Sequence, residues 1–172
     1  MPPEAQPPED PRPIGRVLAI ALRSGRGGPM REVTEATARK DAGIEPDRWP
    51  RPDRGITLLS RQAWQAAIAE LGVELPWHTR RANLLTDIAD LPALVGQTLR
   101  IGGAVVAVRG ITHPCENMDA VCDGLRAALD HDHRGGVFAR VITGGPIRVG
   151  DPIVPAPQCA VELGPPRFRD NA

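Results

Sequence analysis

Cys115 occupies a setting suited to chemistry. It follows Pro114 in the run His113-Pro114-Cys115-Glu116-Asn117, between a β-branched stretch and a helical one. A group just ahead of a helix feels the positive end of its dipole, which favours thiolate over thiol. Pro114 fixes the backbone beside it. A thiolate so placed can act as a nucleophile, a soft metal ligand or a carrier of persulfide sulfur. The other reading of the same residue is a packed free cysteine that serves as a small hydrophobe. Cys122 falls on the apolar stripe of the following helix and reads as core. Cys159 lies in a proline-rich tail and is given no role. Three cysteines, an odd count, suit reduced thiols rather than a disulfide framework.

His113, Cys115, Cys122, His131 and His133 crowd one stretch of chain, which raises a small structural zinc site as an alternative. Their spacing matches neither paired CxxC nor HExxH, and His131 and His133 fall in a charged stretch that reads as solvated surface. Arginine is the second theme, since Lys40 is the sole lysine. Arg48, Arg51 and Arg54 share one loop, Arg80 and Arg81 stand close to Asn83, and Arg134 precedes Gly135-Gly136. Guanidinium forks bind phosphate bidentately, and glycine lets an anion approach the backbone. The same residues also fit a chain that scatters arginines over its surface. There is no GxSxG, P-loop or GxGxxG. A pyridoxal phosphate enzyme needs a Schiff-base lysine, and Lys40 lies in a polar stretch without a phosphate-binding context, so that cofactor is not expected.

These residues must be positioned by a chain of 172 residues, with 21 basic and 21 acidic side chains. The length suits one domain with tails, and the neutral balance argues against a general nucleic-acid binder. No apolar run spans a membrane, and the N-terminus lacks the pattern of a signal peptide, so a cytoplasmic protein is expected. The 18 glycines and 19 prolines favour many turns and short strands. Residues 1–13 read as a disordered proline-rich leader, 14–154 as the folded domain and 155–172 as a proline-rich tail.

Within the domain, residues 15–23 read as a buried strand, and residues 33–41 fit either a strand or a short helix. Residues 44–54 read as a loop and 56–59 as a strand. Residues 60–71 form the clearest helix, with Ser60 as N-cap and Gly72 as its stop. Residues 78–83 read as a polar loop and 91–95 as one helical turn. Gly102-Gly103 joins strands 99–101 and 104–108 in a hairpin. A second helix is expected over 118–129, weakened by Gly124 by about 1 kcal/mol. Strands 137–143 and 147–149 follow, and the chain from Ile153 onward wraps the body or frays. Six or seven short strands with two helices predict a mainly β, barrel-like domain with peripheral helices.

Several segments then fit together in order: GRVLAIAL, GGPMREV, DAGIEPDR, RGITLLS, TRRANLLTDIADLPALVGQTLRIGGAVVAV, HPCENMD and GLRAALDHDHRGGVFARVITGGPIRVGD. Over residues 14–154 the series resembles a stand-alone MOSC domain, the family named for the C-terminal domain of molybdenum cofactor sulfurases. The resemblance implies a β-barrel that binds the molybdenum–molybdopterin cofactor or handles sulfur destined for it. Family members include sulfur carriers and reductases of N-hydroxylated compounds. It implies that Cys115 ligates molybdenum or carries persulfide, that Arg48, Arg80, Arg81 and Arg134 with Gly135 hold the pterin phosphate, and that Asn83 adds a polar contact. Pro46-Asp47 stands where the family usually shows Gly-Asp, and Trp49 where a histidine or tyrosine is frequent. Because proline fixes φ, that first loop is expected to be reshaped. A separate cysteine desulfurase or electron-transfer proteins would be the partners. The alternative class is a non-catalytic cofactor chaperone or interaction module.

Overall fold

A computed structural model describes residues 11–24, 28–45, 52–158 and 163–166. Most of the expected leader (residues 1–10), the Pro46–Trp49 segment with Arg48, Arg51 and Cys159 lie outside the described residues.

Eleven strands are present among the described residues. They are β1 (Gly15–Arg23), β2 (Met30–Val33), β3 (Glu35–Arg39), β4 (Gly43–Glu45), β5 (Ile56–Ser60), β6 (Leu84–Thr86), β7 (Thr98–Ile101), β8 (Ala104–Ile111), β9 (Val137–Thr143), β10 (Gly145–Arg148) and β11 (Pro152–Pro155). The main sheet runs β11-β7-β8-β9-β5-β6-β1, and β1 pairs back onto β11, closing a seven-stranded barrel with β2 added beside β1. Closure removes the open edges that would invite aggregation. A small second sheet, β10-β3-β4, stands beside it. The mainly β barrel expected from the sequence is what forms.

Period-2 alternation explains how seven short strands hold two cores. Leu58 and Leu84 face the barrel interior with Ile20, Leu99, Ile101, Val106 and Val141. Their neighbours Leu59 and Leu85 point outward, against Trp64, Ala67, Leu125 and Leu129 on the covering helices. Successive strand residues take opposite faces, so two apolar neighbours serve two layers.

The covering helices are α1 (Arg61–Leu71), α2 (Asn117–Val121) and α3 (Leu125–Asp130). In α1 the Ser60 side chain accepts from the Ala63 amide, and Gly72 ends the helix at φ 64°, as the sequence suggested. The single helix expected over 118–129 is instead α2 and α3. Cys122 is extended (φ −151°) and Gly124 is left-handed (φ +85°), so the chain turns between them. The break leaves Val121 exposed and directs Leu125, Ala128 and Leu129 inward.

Other differences follow from element size. The undecided 33–41 segment is largely extended, and Gly43–Glu45, which overlaps the start of the expected 44–54 loop, pairs with β3. β6 is three residues long and parallel to β5, just after the 78–83 polar loop, where no element was expected. Pro152–Pro155 pairs with β7 and β1 and closes the barrel. Prolines are tolerated at the ends of such a strand, where they interrupt few ladder bonds.

Candidate functional site

Cys115 lies on the loop between β8 and α2, and its side chain is exposed. Its carbonyl accepts from the Met118 amide at 3.0 Å, which turns the chain into α2. That helix has only five residues, so its dipole is small. The positive charge that reaches Cys115 comes from a side chain instead.

That side chain is Arg80, the last residue of the 3-10 turn Trp77–Arg80. It is 8% exposed. Its Nε donates to the Gly135 carbonyl at 3.1 Å, while its Nη2 is buried without a hydrogen-bond partner. Burial lowers the Arg80 pKa to about 10, with the like charge of Arg54 acting in the same direction and Cys115 opposing both. The guanidinium is therefore still a cation at neutral pH, and no carboxylate among the described residues pairs with it.

Gly135 completes the seat. Its carbonyl receives both Arg80 and the Thr112 hydroxyl, the latter at 2.6 Å, and the Thr112 amide donates to the Gly136 carbonyl at 2.9 Å. A Cβ on Gly135 would stand 2.6 Å from the Thr112 carbonyl, 3.3 Å from Arg80 Nη2 and 3.5 Å from Pro114 Cδ. Only glycine fits, and Arg80 Nη2 and the proline preceding Cys115 both pack against it. Arg54, at the end of the 3-10 turn Pro52–Arg54, sets its guanidinium 6.0 Å from the centre of the Phe138 ring. It supplies the second positive charge felt by Arg80.

The structure thus brings Cys115, Arg80 and Gly135 together and sends the other candidates elsewhere. Arg81 caps the 3-10 turn in a left-handed conformation (φ 66°). This rotates its side chain away from that of Arg80, and Nη2 donates to the Gly28 carbonyl at 2.9 Å. The Asn83 carbonyl oxygen accepts from the Thr57 amide and hydroxyl at 3.1 and 3.2 Å, and Nδ2 reaches the Ala21 carbonyl. Asn83 therefore ties β5 to β1 across the start of β6. Arg134 pairs with Glu70 of α1 at 2.6 Å and donates to the Ala128 carbonyl of α3. Arg48 lies outside the described residues. Two contributors were absent from the sequence-derived set. Arg54 was visible in its arginine-rich loop, whereas nothing local marked Thr112.

The histidine and cysteine constellation does not converge. His113 Nδ1 stands 3.4 Å from Asp130 Oδ1, and its ring meets that of His133 edge-on at 6.4 Å. His131 turns to Asp132 at 3.1 Å. Cys122 Sγ lies 3.8 Å from the carbonyl of Asp123. Among the described residues, no three such side chains are arranged to hold a metal ion.

Comparison with known proteins places this geometry in context. A family model described as the MOSC domain matches residues 45–154. The YuaD protein from Bacillus subtilis superposes with a TM-score of 0.70 at 18% identity, covering 84% of this chain and 97% of that one. YiiM from Escherichia coli gives 0.67 at 18% identity, covering 85% and 72%. YiiM from Geobacillus stearothermophilus gives 0.67 at 16%, covering 83% and 75%. These likenesses establish a shared fold. None of the curated proteins matches the chain. No helix among the described residues is long and apolar enough to cross a membrane.

Proposed function

The chain belongs to the MOSC domain family, and from that premise we propose that it binds the molybdenum–molybdopterin cofactor at the Cys115–Arg80 site. The observation that carries the reading is the buried Arg80 guanidinium, with Nη2 lacking a partner. A buried cation with a bare donor is costly unless an anion completes it. A pterin phosphate is such an anion, and its partner here would be Arg80, with the charge of Arg54 in support. Cys115 is exposed, and a thiolate is a soft ligand suited to molybdenum. Gly135 lets Arg80 and Pro114 pack closely against the same point of the backbone. The donor set therefore fits the cofactor at both its phosphate and its metal.

When bound, the cofactor supplies a two-electron redox centre that can also accept sulfur. The protein's part is to hold the phosphate against Arg80 and to present Cys115. As metal ligand, Cys115 would serve reduction of N-hydroxylated compounds, with a separate electron-transfer protein as donor. As persulfide carrier, it would take sulfur from a separate cysteine desulfurase. Its exposure suits the second role, because a carrier thiol must meet its donor.

The test is to measure molybdenum and pterin in wild type and Cys115→Ala after expression in a cofactor-producing host. Near-stoichiometric metal and pterin that the variant loses identify Cys115 as the ligand. Pterin retained equally by both assigns the thiol to sulfur carriage. Neither metal nor pterin in folded wild type defeats the reading and leaves a non-catalytic module with a packed thiol.

A further inference from the structure

We infer that Thr112 is a positioning residue: its hydroxyl fixes the Gly135 carbonyl, and that carbonyl aims the Arg80 guanidinium. This role rests on the reading of Arg80 as an anion-binding cation given above.

Gly135 and Gly136 have no side chains with which to pin their own backbone, and Gly136 is left-handed at φ 97°. The peptide between them must be held from outside. The β8–β9 ladder ends with Ile111 opposite Val137. One residue further along, Thr112 takes both neighbouring carbonyls. Its amide donates to Gly136 at 2.9 Å, and its hydroxyl donates to Gly135 at 2.6 Å. Thr112 is buried, so both bonds are shielded from water.

Arg80 shares that acceptor. Its Nε reaches the Gly135 oxygen at 3.1 Å, and its Nη2 has no hydrogen bond. A carbonyl oxygen has two lone pairs, and here Thr112 and Arg80 use both. The Gly135 oxygen is thus a fixed point from which the rigid fork of the guanidinium is aimed. Without the Thr112 hydroxyl, the peptide between the two glycines can rotate and take the acceptor away from Nε. The Thr112 carbonyl also lies against Gly135, 2.6 Å from where a Cβ would stand. One buried residue therefore ties the arginine seat to the root of the loop that carries Cys115.

A role in packing alone predicts a different pattern of variants. Valine keeps the branched shape and loses the donor, whereas serine keeps the donor and loses the methyl group. The test compares Thr112→Val, Thr112→Ser and wild type by NMR of isotope-labelled protein titrated with inorganic phosphate. Exchange of the Arg80 Nε–H with water reports how the guanidinium is held, and the phosphate-induced shift of that signal reports anion binding there. Thr112→Ser is expected to keep wild-type affinity and a slowly exchanging Nε–H. Folded Thr112→Val is expected to exchange that proton faster and to bind phosphate about tenfold more weakly, near the size of a single hydrogen bond. Wild-type affinity and exchange in Thr112→Val overturn the role of Thr112 and leave Arg80 as the anion site. Equal losses in both variants assign Thr112 to packing and overturn it as well. If phosphate leaves the Arg80 signal of wild type unmoved, the anion reading falls, and faster Nε–H exchange confined to Thr112→Val still upholds the positioning. Should Thr112→Val not fold, wild type decides. Phosphate should then shift the Arg80 Nε–H and the Gly136 amide together, and a shift at Arg80 alone overturns the role.

Discussion

Two arginines are buried among the described residues of this barrel, and they are buried differently. Arg109 on β8 is 4% exposed and Arg80 is 8% exposed. Arg109 donates to the carbonyls of Leu163, Gly164 and Pro165 at 2.6–3.3 Å, with Asp53 3.5 Å from its Nε. It pins residues 163–166 to the barrel wall. Arg80 has one carbonyl partner and an unpartnered Nη2 beside the loop of an exposed thiol. Burial alone therefore does not separate structural from functional charge. Each keeps one buried donor without a hydrogen bond, Nε in Arg109 and Nη2 in Arg80; the separating property is that Asp53 stands beside the bare donor of Arg109, whereas no carboxylate among the described residues pairs with Arg80.

The largest effect that would test this contrast is at Cys115. Cys115→Ala should abolish cofactor retention where the thiol is the metal ligand, or sulfur loading where it is the carrier, with an unchanged thermal midpoint, because the side chain is exposed. Metal and pterin analysis beside a thermal melt checks both halves. Next in size is Arg109→Gln, which should cost about 3 kcal/mol by removing a buried cation from its carbonyl cluster and Asp53. Chemical denaturation would measure that loss, and the rate of Cys115 alkylation should stay at the wild-type value. If Arg109→Gln instead silences Cys115 in folded protein, the contrast between the two arginines fails.

Gly135→Ala comes third. Its Cβ would meet the Thr112 carbonyl at 2.6 Å, an overpacking worth about 1–3 kcal/mol. The shift should disturb Arg80 as well, so weaker binding of sulfate should accompany the lower denaturation midpoint. The smallest effect belongs to Arg134→Ala. It removes a pairing between α1 and α3 with Glu70, worth about 1 kcal/mol or less. Stability should fall slightly and cofactor content should hold. Loss of cofactor in that variant would return Arg134 to the site.

The sequence made some of these parts readable and hid others for physical reasons. Local signals were clear where one short stretch carried the whole device: Ser60 and Gly72 bounding α1, Gly102-Gly103 turning β7 into β8, and Pro114 beside Cys115. The three-residue strands β4 and β6 were not legible, because three residues carry too little alternation to show a period. Closure by Pro152–Pro155 was hidden by its prolines, which locally argue against a strand. Gly124 was visible as a weak point, but its left-handed turn divides the helix outright. The arginines were the hardest case. Arg80 and Arg81 are neighbours in sequence, yet the left-handed backbone at Arg81 sends them to Gly135 and Gly28 respectively. Arg134 was expected in the site because it precedes two glycines. Its partner Glu70 is 64 positions away, and no local pattern announces it.

The account's central claim is that the unsatisfied Arg80 and the exposed Cys115 act as one site. The most direct measurement is molybdenum and pterin content, taken in parallel on wild type, Cys115→Ala and Arg109→Gln purified from a cofactor-producing host. The account predicts near-stoichiometric cofactor in wild type and in Arg109→Gln, with Cys115→Ala losing it where the thiol is the metal ligand and keeping pterin where the thiol carries sulfur. Folded wild type that carries neither metal nor pterin, or cofactor lost with Arg109 but kept without Cys115, would contradict it.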